Sequence, residues 1–323
     1  MLRRLIQRLL ISIPLILGIT FFSFLLMHTA QGDFLSSMQL NPQIDQRTIQ
    51  TARSQFGLDR PWYVQYEKWM VQILHGNLGY SFAFQEPVGS MIGSFAENTI
   101  LLSVTSLGIA LLIAFPVGIF SALKRNSWID RIIQFISTAG MSVPTILVAL
   151  LALLVASRTQ WFPIGGRQQV LISEMSWGEN LLDLLHHLAL PALVLSINPT
   201  ILYIRQVRSN VASVLSDPFM TSAQAKGLHP ARILWAHALR NALNPIISLF
   251  GFSFANLLNG AFLVEIIMSW PGLGRLTFDA LLARDLYLVM GSLTLASVML
   301  MGGNLLADLL MAWNDPRIRR ASV

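Results

Sequence analysis

The residues of this sequence that could carry chemistry are few, and they form no catalytic pattern. The chain contains no cysteine, which excludes a disulfide framework, a thiolate metal site and a cysteine nucleophile. It has no G-x-x-x-x-G-K-[ST] motif for a P-loop and neither H-E-x-x-H nor G-x-S-x-G. The histidines show no spacing that requires a metal, and His186 and His187 would point to different faces of a helix. We therefore expect no catalytic residue and no metal or cofactor bound by this chain.

One polar and basic segment interrupts an otherwise apolar sequence. Residues 220–247 read MTSAQAKGLHPARILWAHALRNALNPII. Asp217-Pro218 before it is typical of a helix start, because aspartate caps helices and proline is favoured at the first helical position. Gly227 is a natural helix stop, and Pro245 would kink the helix that follows. The pattern predicts a short helix at about 217–228 that a partner protein could grip from outside the membrane.

The alternative for this short helix is an amphipathic helix that lies on the lipid surface. Such helices carry several basic residues on one face and a broad apolar face on the other. Lys226 is the single basic residue within 217–228, and the segment has no broad apolar face. We therefore favour contact with a protein over contact with lipid.

Two carboxylates, Glu265 and Asp308, lie near the ends of predicted membrane segments. A charge at the centre of a bilayer costs roughly 2.5–3.5 kcal/mol, and this cost falls towards the interface. Glu265 could line an outer gate, together with Trp270, Pro271 and Gly272 in the turn SWPGLGRL. The alternatives are an interfacial carboxylate that snorkels to the headgroups and a re-entrant or interfacial turn.

The composition predicts an integral membrane protein of all-α class. Of 323 residues, 54% are hydrophobic and only 12% are charged, whereas soluble domains carry roughly 25% charged residues. A spanning helix needs about 20 apolar residues. The first apolar run is longer than a signal-peptide core of about 7–15 residues, so we expect it to remain as a helix. We predict six transmembrane helices, at 9–28, 99–122, 132–156, 185–204, 243–268 and 286–312.

The positions of lysine and arginine predict the orientation of these helices. Cytoplasmic segments carry an excess of both residues, and most of the 22 in this chain fall on the side of the N-terminus when six spans are counted. We therefore expect cytoplasmic N- and C-termini. The domains would be an N-terminal membrane helix (1–29), an extracytoplasmic loop domain with short helices (30–98) and a five-helix core (99–323). This placement accounts for the net charge of +6 without a nucleic-acid partner.

The loop 30–98 contains two predicted short helices. DQRTIQTARSQFG suggests a helix capped by Asp45 and stopped by Gly57, and DRPWYVQYEKWMVQILHG suggests a second with Pro61 in its first turn and Gly76 at its end. The second helix has an aromatic side, which is typical of an interfacial aromatic belt. The alternative is a docking surface for an extracytoplasmic partner, formed by Asp59, Arg60, Trp62 and Tyr66.

Several separate segments resemble one protein family. Residues 222–245, SAQAKGLHPARILWAHALRNALNP, resemble the coupling-loop signature of permease subunits in the dipeptide/oligopeptide/nickel branch of ABC importers. Ser222 and Gln224 depart where this branch often has Thr and Arg, and Thr221 stands where the wider family has Glu. FGLDRPWYVQYEKWM and GNLGYSF resemble the outer loop of the first-type permease of a pair. VEIIMSWPGLGRL and the C-terminal NDPRIR resemble further segments of the same subunit.

The resemblance implies a type I importer permease fold in which a short coupling helix receives the motion of a partner ATPase. The ATPase-coupling residues that it implies are Asp217, Ala223, Ala225, Lys226, Gly227, Leu228, His229 and Arg232. The hinge that it implies between the coupling loop and the fifth span comprises Arg240, Asn241 and Pro245.

The resemblance also implies partners and a function. The partners are a second homologous permease subunit, two cytoplasmic ATPase subunits that bind ATP and Mg²⁺, an extracytoplasmic solute-binding protein and the lipid of a bacterial or archaeal plasma (inner) membrane. The chain would form half of a translocation pathway for di- or oligopeptides, with alternating access driven by the ATPases. Nickel chelates, sugars and antimicrobial peptides are alternative substrates within the same family.

A function of a different class is an ion-coupled secondary transporter that works alone. Such a carrier would need an internal repeat and ion ligands near the bilayer midplane. The sequence shows no clear repeat and no convincing set of ligands. A membrane-embedded enzyme would need a catalytic constellation, and the sequence contains none.

Overall fold

The computed structural model is almost entirely helical. It describes residues 2–29, 34–35, 46–55, 57–168, 176–218, 220, 253, 257–258 and 261–314. Its helices are α1 (Leu2–Thr29), α2 (Gln46–Gln55), α3 (Trp62–Leu74), α4 (Val88–Leu123), α5 (Trp128–Met141), α6 (Thr145–Thr159), α7 (Trp177–Leu215), α8 (Leu273–Leu282) and α9 (Leu286–Asn314). Two short strands, β1 (Tyr80–Ser81) and β2 (Glu86–Pro87), pair antiparallel before α4. Residues 261–267 are also helical.

Four described helices are long and apolar enough to cross a membrane. They include Leu10–Thr29 of α1, Leu286–Leu310 of α9, and the helices α4 and α7. These helices coincide with the first, second, fourth and sixth predicted spans, although α4 begins well before the predicted residue 99 and α7 extends beyond its predicted span at both ends. The fifth predicted span, 243–268, lies largely outside the described residues.

The third predicted span, 132–156, is not one continuous helix. It is divided into α5 and α6, which meet at an angle of 98°, so this pair is a fifth crossing only if both helices are counted as one broken span. Pro144 is the residue before α6, with φ −61° and ψ 135°. Proline has no amide hydrogen to continue the helix of α5, and its ring clashes with the preceding helical turn. The chain therefore turns at residues 142–144.

The two short helices predicted before α4 are present. α2 ends at Gln55 and is followed by Gly57 with φ +66°, and α3 is followed within two residues by Gly76 with φ +78°. Both glycines adopt left-handed backbone angles that favour this residue at helix ends. Pro61 occupies the cap position before α3 instead of its first turn. Asp45, the predicted cap of α2, lies outside the described residues.

Residues Ile100–Trp270, with Met1–Leu5 and Met301–Val323, form one compact unit, here called unit 1. Its core lies between α4, α6 and α7 and includes buried residues of all three helices. A Cβ atom built on Gly118 of α4 would lie 2.8 Å from Cβ of Val207 and 3.0 Å from the carbonyl oxygen of Ile204, both in α7. The two helices are therefore close enough that position 118 accepts no side chain.

Residues Ile6–Thr99 and Pro271–Leu300 form the second compact unit, here called unit 2. A buried polar centre of this unit is Asp285, the residue before α9, which is fully buried. The carboxylate accepts hydrogen bonds from Ser81 Oγ (2.7 Å), the backbone N–H of Ala83 (3.0 Å) and the backbone N–H of Leu288 (3.2 Å). Asp285 thus caps α9 and fixes the β1–β2 hairpin to that helix end.

We expect Gly118→Ala to destabilise the protein, because the added methyl group would overlap α7. Overpacking of this kind costs about 1–3 kcal/mol. The control is Gly108→Ala in the same helix, where an added Cβ meets no atom within 4 Å and helix propensity favours alanine. In thermal unfolding in detergent, the Tm should fall for Gly118→Ala but not for Gly108→Ala. Equal changes of Tm in the two variants would contradict the close approach of α4 and α7.

We expect Asp285→Ala to destabilise the protein by roughly 2–3 kcal/mol, because buried donors would lose their acceptor. The control is Asp279→Ala in α8, whose side chain is 46% exposed and lies 3.8 Å from Arg275. An exposed pair of this kind contributes about 0–1 kcal/mol. Denaturant titration in detergent micelles gives the unfolding midpoint of both variants. Equal midpoints for Asp285→Ala and Asp279→Ala would refute the stabilising role of Asp285.

Candidate functional site

The end of α7 is held by a buried cluster of polar groups around Asp130, here called the Asp130 cluster. Arg208 of α7 donates through Nε to Oδ1 of Asp130 (2.6 Å) and through Nη2 to Oδ2 (2.7 Å). Ser121 Oγ donates to Oδ1 (2.6 Å), and the backbone N–H of Asn126 donates to Oδ2 (2.9 Å). The carboxylate therefore receives four hydrogen bonds, and the bidentate pair with arginine has the strongest geometry available to such groups.

The local sequence explains how Asp130 reaches this position. Ser127 caps α5 and accepts a hydrogen bond from the backbone N–H of Asp130 (3.3 Å), which places Asp130 in the first turn, where the helix dipole favours a negative charge. Asn126 has φ +65°, a left-handed angle that asparagine tolerates better than most residues. This angle forms part of the tight turn between α4 and α5, and it directs the backbone N–H of Asn126 towards the carboxylate of Asp130.

The same turn makes a second contact with the end of α7. Arg125 Nη1 donates to Oγ of Ser216 at 3.3 Å, and Ser216 is the residue that caps α7. The α4–α5 turn is therefore joined to α7 through Arg208 and through Ser216. Because Asp130 is only 2% exposed, loss of Arg208 would leave an uncompensated buried charge, which costs about 3–5 kcal/mol.

The Asp130 cluster was not predicted from the sequence. Neither Asp130 nor Arg208 stands out in the sequence as a site residue. The two residues are 78 positions apart, so no local spacing could have paired them. The spacing of Ser127 and Asp130 at a helix start was the one available signal, and it indicates only a cap.

The predicted coupling segment begins immediately after this cluster. Asp217 is exposed, and its carbonyl oxygen accepts from the backbone N–H of Met220 (3.0 Å), which fits a new turn starting at Asp217-Pro218. The other predicted coupling and hinge residues lie outside the described residues: Ala223, Ala225, Lys226, Gly227, Leu228, His229, Arg232, Arg240, Asn241 and Pro245.

Of the four residues predicted for an outer gate, three are buried and Pro271 is half-buried. Glu265 and Trp270 are fully buried in unit 1. The backbone N–H of Gly166 donates to the carbonyl oxygen of Ser269 (3.2 Å). The loop 161–166, with the sequence WFPIGG, therefore packs against the residue before Trp270. In unit 2, the carbonyl oxygen of Pro271 accepts from Asn98 Nδ2 (2.8 Å).

The same turn continues into α8. Gly272 is the residue before this helix, and the backbone N–H of Leu273 donates to Oγ1 of Thr99 (2.8 Å). This amide therefore already has an acceptor within the protein. Position 272 is buried as well.

The residues predicted for docking are divided between packing and the surface. Tyr66 lies against α1, with its ring centroid 5.7 Å from Phe21, and its hydroxyl is 3.1 Å from Thr20 Oγ1. Trp62 also packs edge-on against Phe21. Asp59 and Arg60 are exposed.

Among the described residues, no group of three or more histidine and carboxylate side chains is arranged to hold a metal. His186 Nε2 lies 2.8 Å from the carbonyl oxygen of Trp161, whereas His187 Nδ1 lies 2.9 Å from that of Asp183. The two adjacent rings thus have different partners, as expected for neighbours on a helix.

Comparison with known families gives two matches that together cover most of the chain. A family model described as binding-protein-dependent transport system inner membrane component matches residues 114–320. A second model, described as the N-terminal part of the membrane component of binding-protein-dependent transport systems, matches residues 1–105.

Full-length relatives give the same result. The chain is 38% identical over 315 residues to the oligopeptide transport system permease protein AppB of Bacillus subtilis, covering 97% of this chain and 98% of the relative. It is 34% identical over 337 residues to the dipeptide transport system permease protein DppB of Escherichia coli K12, covering 99% of both.

A solved structure agrees at the level of the fold. A chain of the MetNI methionine ABC transporter in an inward-facing conformation matches with a TM-score of 0.50 and 15% sequence identity, covering 68% of this chain and 96% of that chain. The family predicted from the separate sequence motifs is confirmed: the chain belongs to the inner membrane components of binding-protein-dependent transport systems.

Proposed function

We propose that this chain is the permease subunit of an ATP-driven importer of di- or oligopeptides. The observation that carries this proposal is the match to peptide permeases along 97–99% of both chains. A match of this extent includes the outer loop, the core helices and the C-terminal segment, so the whole subunit is compared and not one shared motif. Nickel chelates, sugars and antimicrobial peptides are the alternative substrates.

The partners follow from the type of transport system. The family description names dependence on a binding protein, and this chain has no P-loop of its own. We therefore assign ATP hydrolysis to two separate cytoplasmic subunits, and half of the pathway to a second permease. The solute-binding protein would deliver the peptide at the outer face of a bacterial or archaeal plasma membrane, with both termini of this chain inside.

The Asp130 cluster gives the coupling segment a rigid attachment. The segment from about 217 to 228 follows α7 directly, and α7 is joined to the α4–α5 turn by two charge-assisted hydrogen bonds. Packed helices move as rigid bodies when one of them is displaced. A displacement of the coupling segment by an ATPase would therefore move α7, the α4–α5 turn and the start of α5 together.

Reconstitution into liposomes tests the function. The chain is inserted with its second permease and the ATPase subunits, and uptake of a labelled dipeptide is measured with and without ATP and the binding protein. We expect uptake only when all components are present. Ion-driven uptake by this chain alone would establish the secondary transporter instead, and retention of a nickel chelate but no peptide by the binding protein would change the substrate.

Arg208→Lys tests the rigid attachment. Lysine keeps the charge but cannot make the bidentate contact, and each hydrogen bond to a charged group contributes about 1.5–3 kcal/mol. We expect the number of peptides imported per ATP hydrolysed to fall several-fold while the complex still assembles. Arg131→Lys is the matched control, because Arg131 is an exposed residue of α5. An unchanged ratio for Arg208→Lys would show that the pair does not transmit the motion.

A further inference from the structure

A cavity of about 380 Å³ lies in unit 1 at the break between α5 and α6. Its wall is formed by Met141 at the end of α5, Thr145 at the start of α6, one face of α7, and Ser253 with Leu257. Most of the wall is apolar, and a few polar groups converge on the space. Sites for small molecules have this size and this composition.

Ser253 is a buried polar group of the wall, and its hydroxyl lies close to that of Tyr203. Ser253 is 4% exposed, and Tyr203 is the neighbour with which its hydroxyl interacts. Tyr203 is fully buried, and neither hydroxyl forms a hydrogen bond of good geometry. Buried hydroxyls gain from well-formed hydrogen bonds, so a ligand oxygen in the cavity would stabilise this wall.

The start of α6 adds donors on a second side of the cavity. Pro144 provides no side-chain cap for this helix, and the first amides of a helix have no acceptor within the helix itself. The positive end of the helix dipole therefore lies at the wall beside Thr145. Asn198 Nδ2 donates to Thr145 Oγ1 (3.0 Å), which leaves the second amide hydrogen of Asn198 for a ligand.

A positive charge lies at the rim. Asn198, Leu202 and Arg205 follow one another along one face of α7 at spacings of four and three residues. Arg205 Nη1 donates to Sδ of Met141 (3.1 Å), itself a residue of the wall. Sulfur is a weak acceptor, so the guanidinium keeps strong donors for an anion. None of the described residues that line the cavity is acidic.

We propose that this cavity is a subsite for the C-terminal end of the transported peptide. Arg205 would attract the carboxylate, and Ser253, Asn198 and the first amides of α6 would donate hydrogen bonds to carboxylate and peptide oxygens. The apolar wall at Leu202 and Leu257 would accept the last side chain. This inference rests on the proposed function, because it names the part of the substrate that the permease itself recognises.

Photocrosslinking in the complete transporter tests the subsite. The probe is alanyl-benzoylphenylalanine, used as the free acid and as the C-terminal amide, in nanodiscs that contain both permeases and the ATPase subunits. We expect the free acid to label α6 or α7, as mapped by peptide mass spectrometry, and the amide to label them about tenfold less, since one charge-assisted hydrogen bond corresponds to at least that factor in affinity.

Three substitutions locate the interaction. Arg205→Gln should remove the difference between acid and amide, and Ser253→Ala should lower the labelling by both forms. An unchanged Tm for Ser253→Ala would show that reduced labelling does not result from unfolding, since the hydroxyl also interacts with Tyr203. The control is Arg131→Gln, because Arg131 is exposed and lies outside the cavity. The probe should label this variant to the same extent as the unmodified protein.

The outcomes separate this proposal from the proposed function. If the complex imports the free-acid probe but acid and amide label equally, or if Arg205→Gln and Ser253→Ala label normally, the subsite is refuted and the importer stands. If labelling maps to lipid or to the second permease, the cavity has another occupant and the subsite is also refuted. If the complete complex imports no peptide at all, the proposed function itself fails.

Discussion

The buried carboxylate of Asp130 imposes the strongest constraint on the described part of unit 1. A charge that is 2% exposed must be neutralised inside the protein, because its desolvation is otherwise too costly. Arg208, Ser121 and the amide of Asn126 together satisfy it. This requirement fixes the rotation of α7 about its axis and the conformation of the α4–α5 turn at the same time. Ser216 and Asp217, which follow α7, therefore have a defined position.

The packing of α7 follows from small residues opposite it. Gly118 and Gly140 both lie where an added Cβ would come within 3 Å of α7 side chains. Helices inside a membrane gain little from the hydrophobic effect, so close contact through small residues is a main source of their association. The Asp130 cluster at the end of α7 and the glycine contacts along it act together, since the close approach brings Arg208 within reach of Asp130.

The break between α5 and α6 is compatible with a membrane only because of its surroundings. Backbone amides without partners are tolerated at membrane depth where they face protein or a cavity, but not where they face lipid. The start of α6 meets this condition, because Thr145 lines the cavity beside Asn198 and Ser253. The polar groups at the break thus explain why the interrupted helix is tolerated.

Much of the architecture could be predicted from the sequence, because its signals are local. Runs of apolar residues located four spans, and glycines located the ends of α2 and α3. The family resemblance depended on motifs such as SAQAKGLHP and was confirmed. The continuous third span was not found, because hydropathy averages over Pro144 and does not register a change in direction. The aromatic residues Trp62 and Tyr66 could not be placed from the sequence either, since the same side chains suit an interfacial belt, a docking surface or packing against α1.

The sequence by itself determined the membrane class, the helical segments and the family, since these depend on composition and on residues close together in the chain. The tertiary structure alone decided that Asp130 meets Arg208, that Asp285 binds the β1–β2 hairpin, and that Thr145, Asn198 and Ser253 surround one cavity. Each of these contacts joins residues far apart in sequence. Such contacts depend on how the helices approach and rotate against one another, and this geometry has no signal in local spacing.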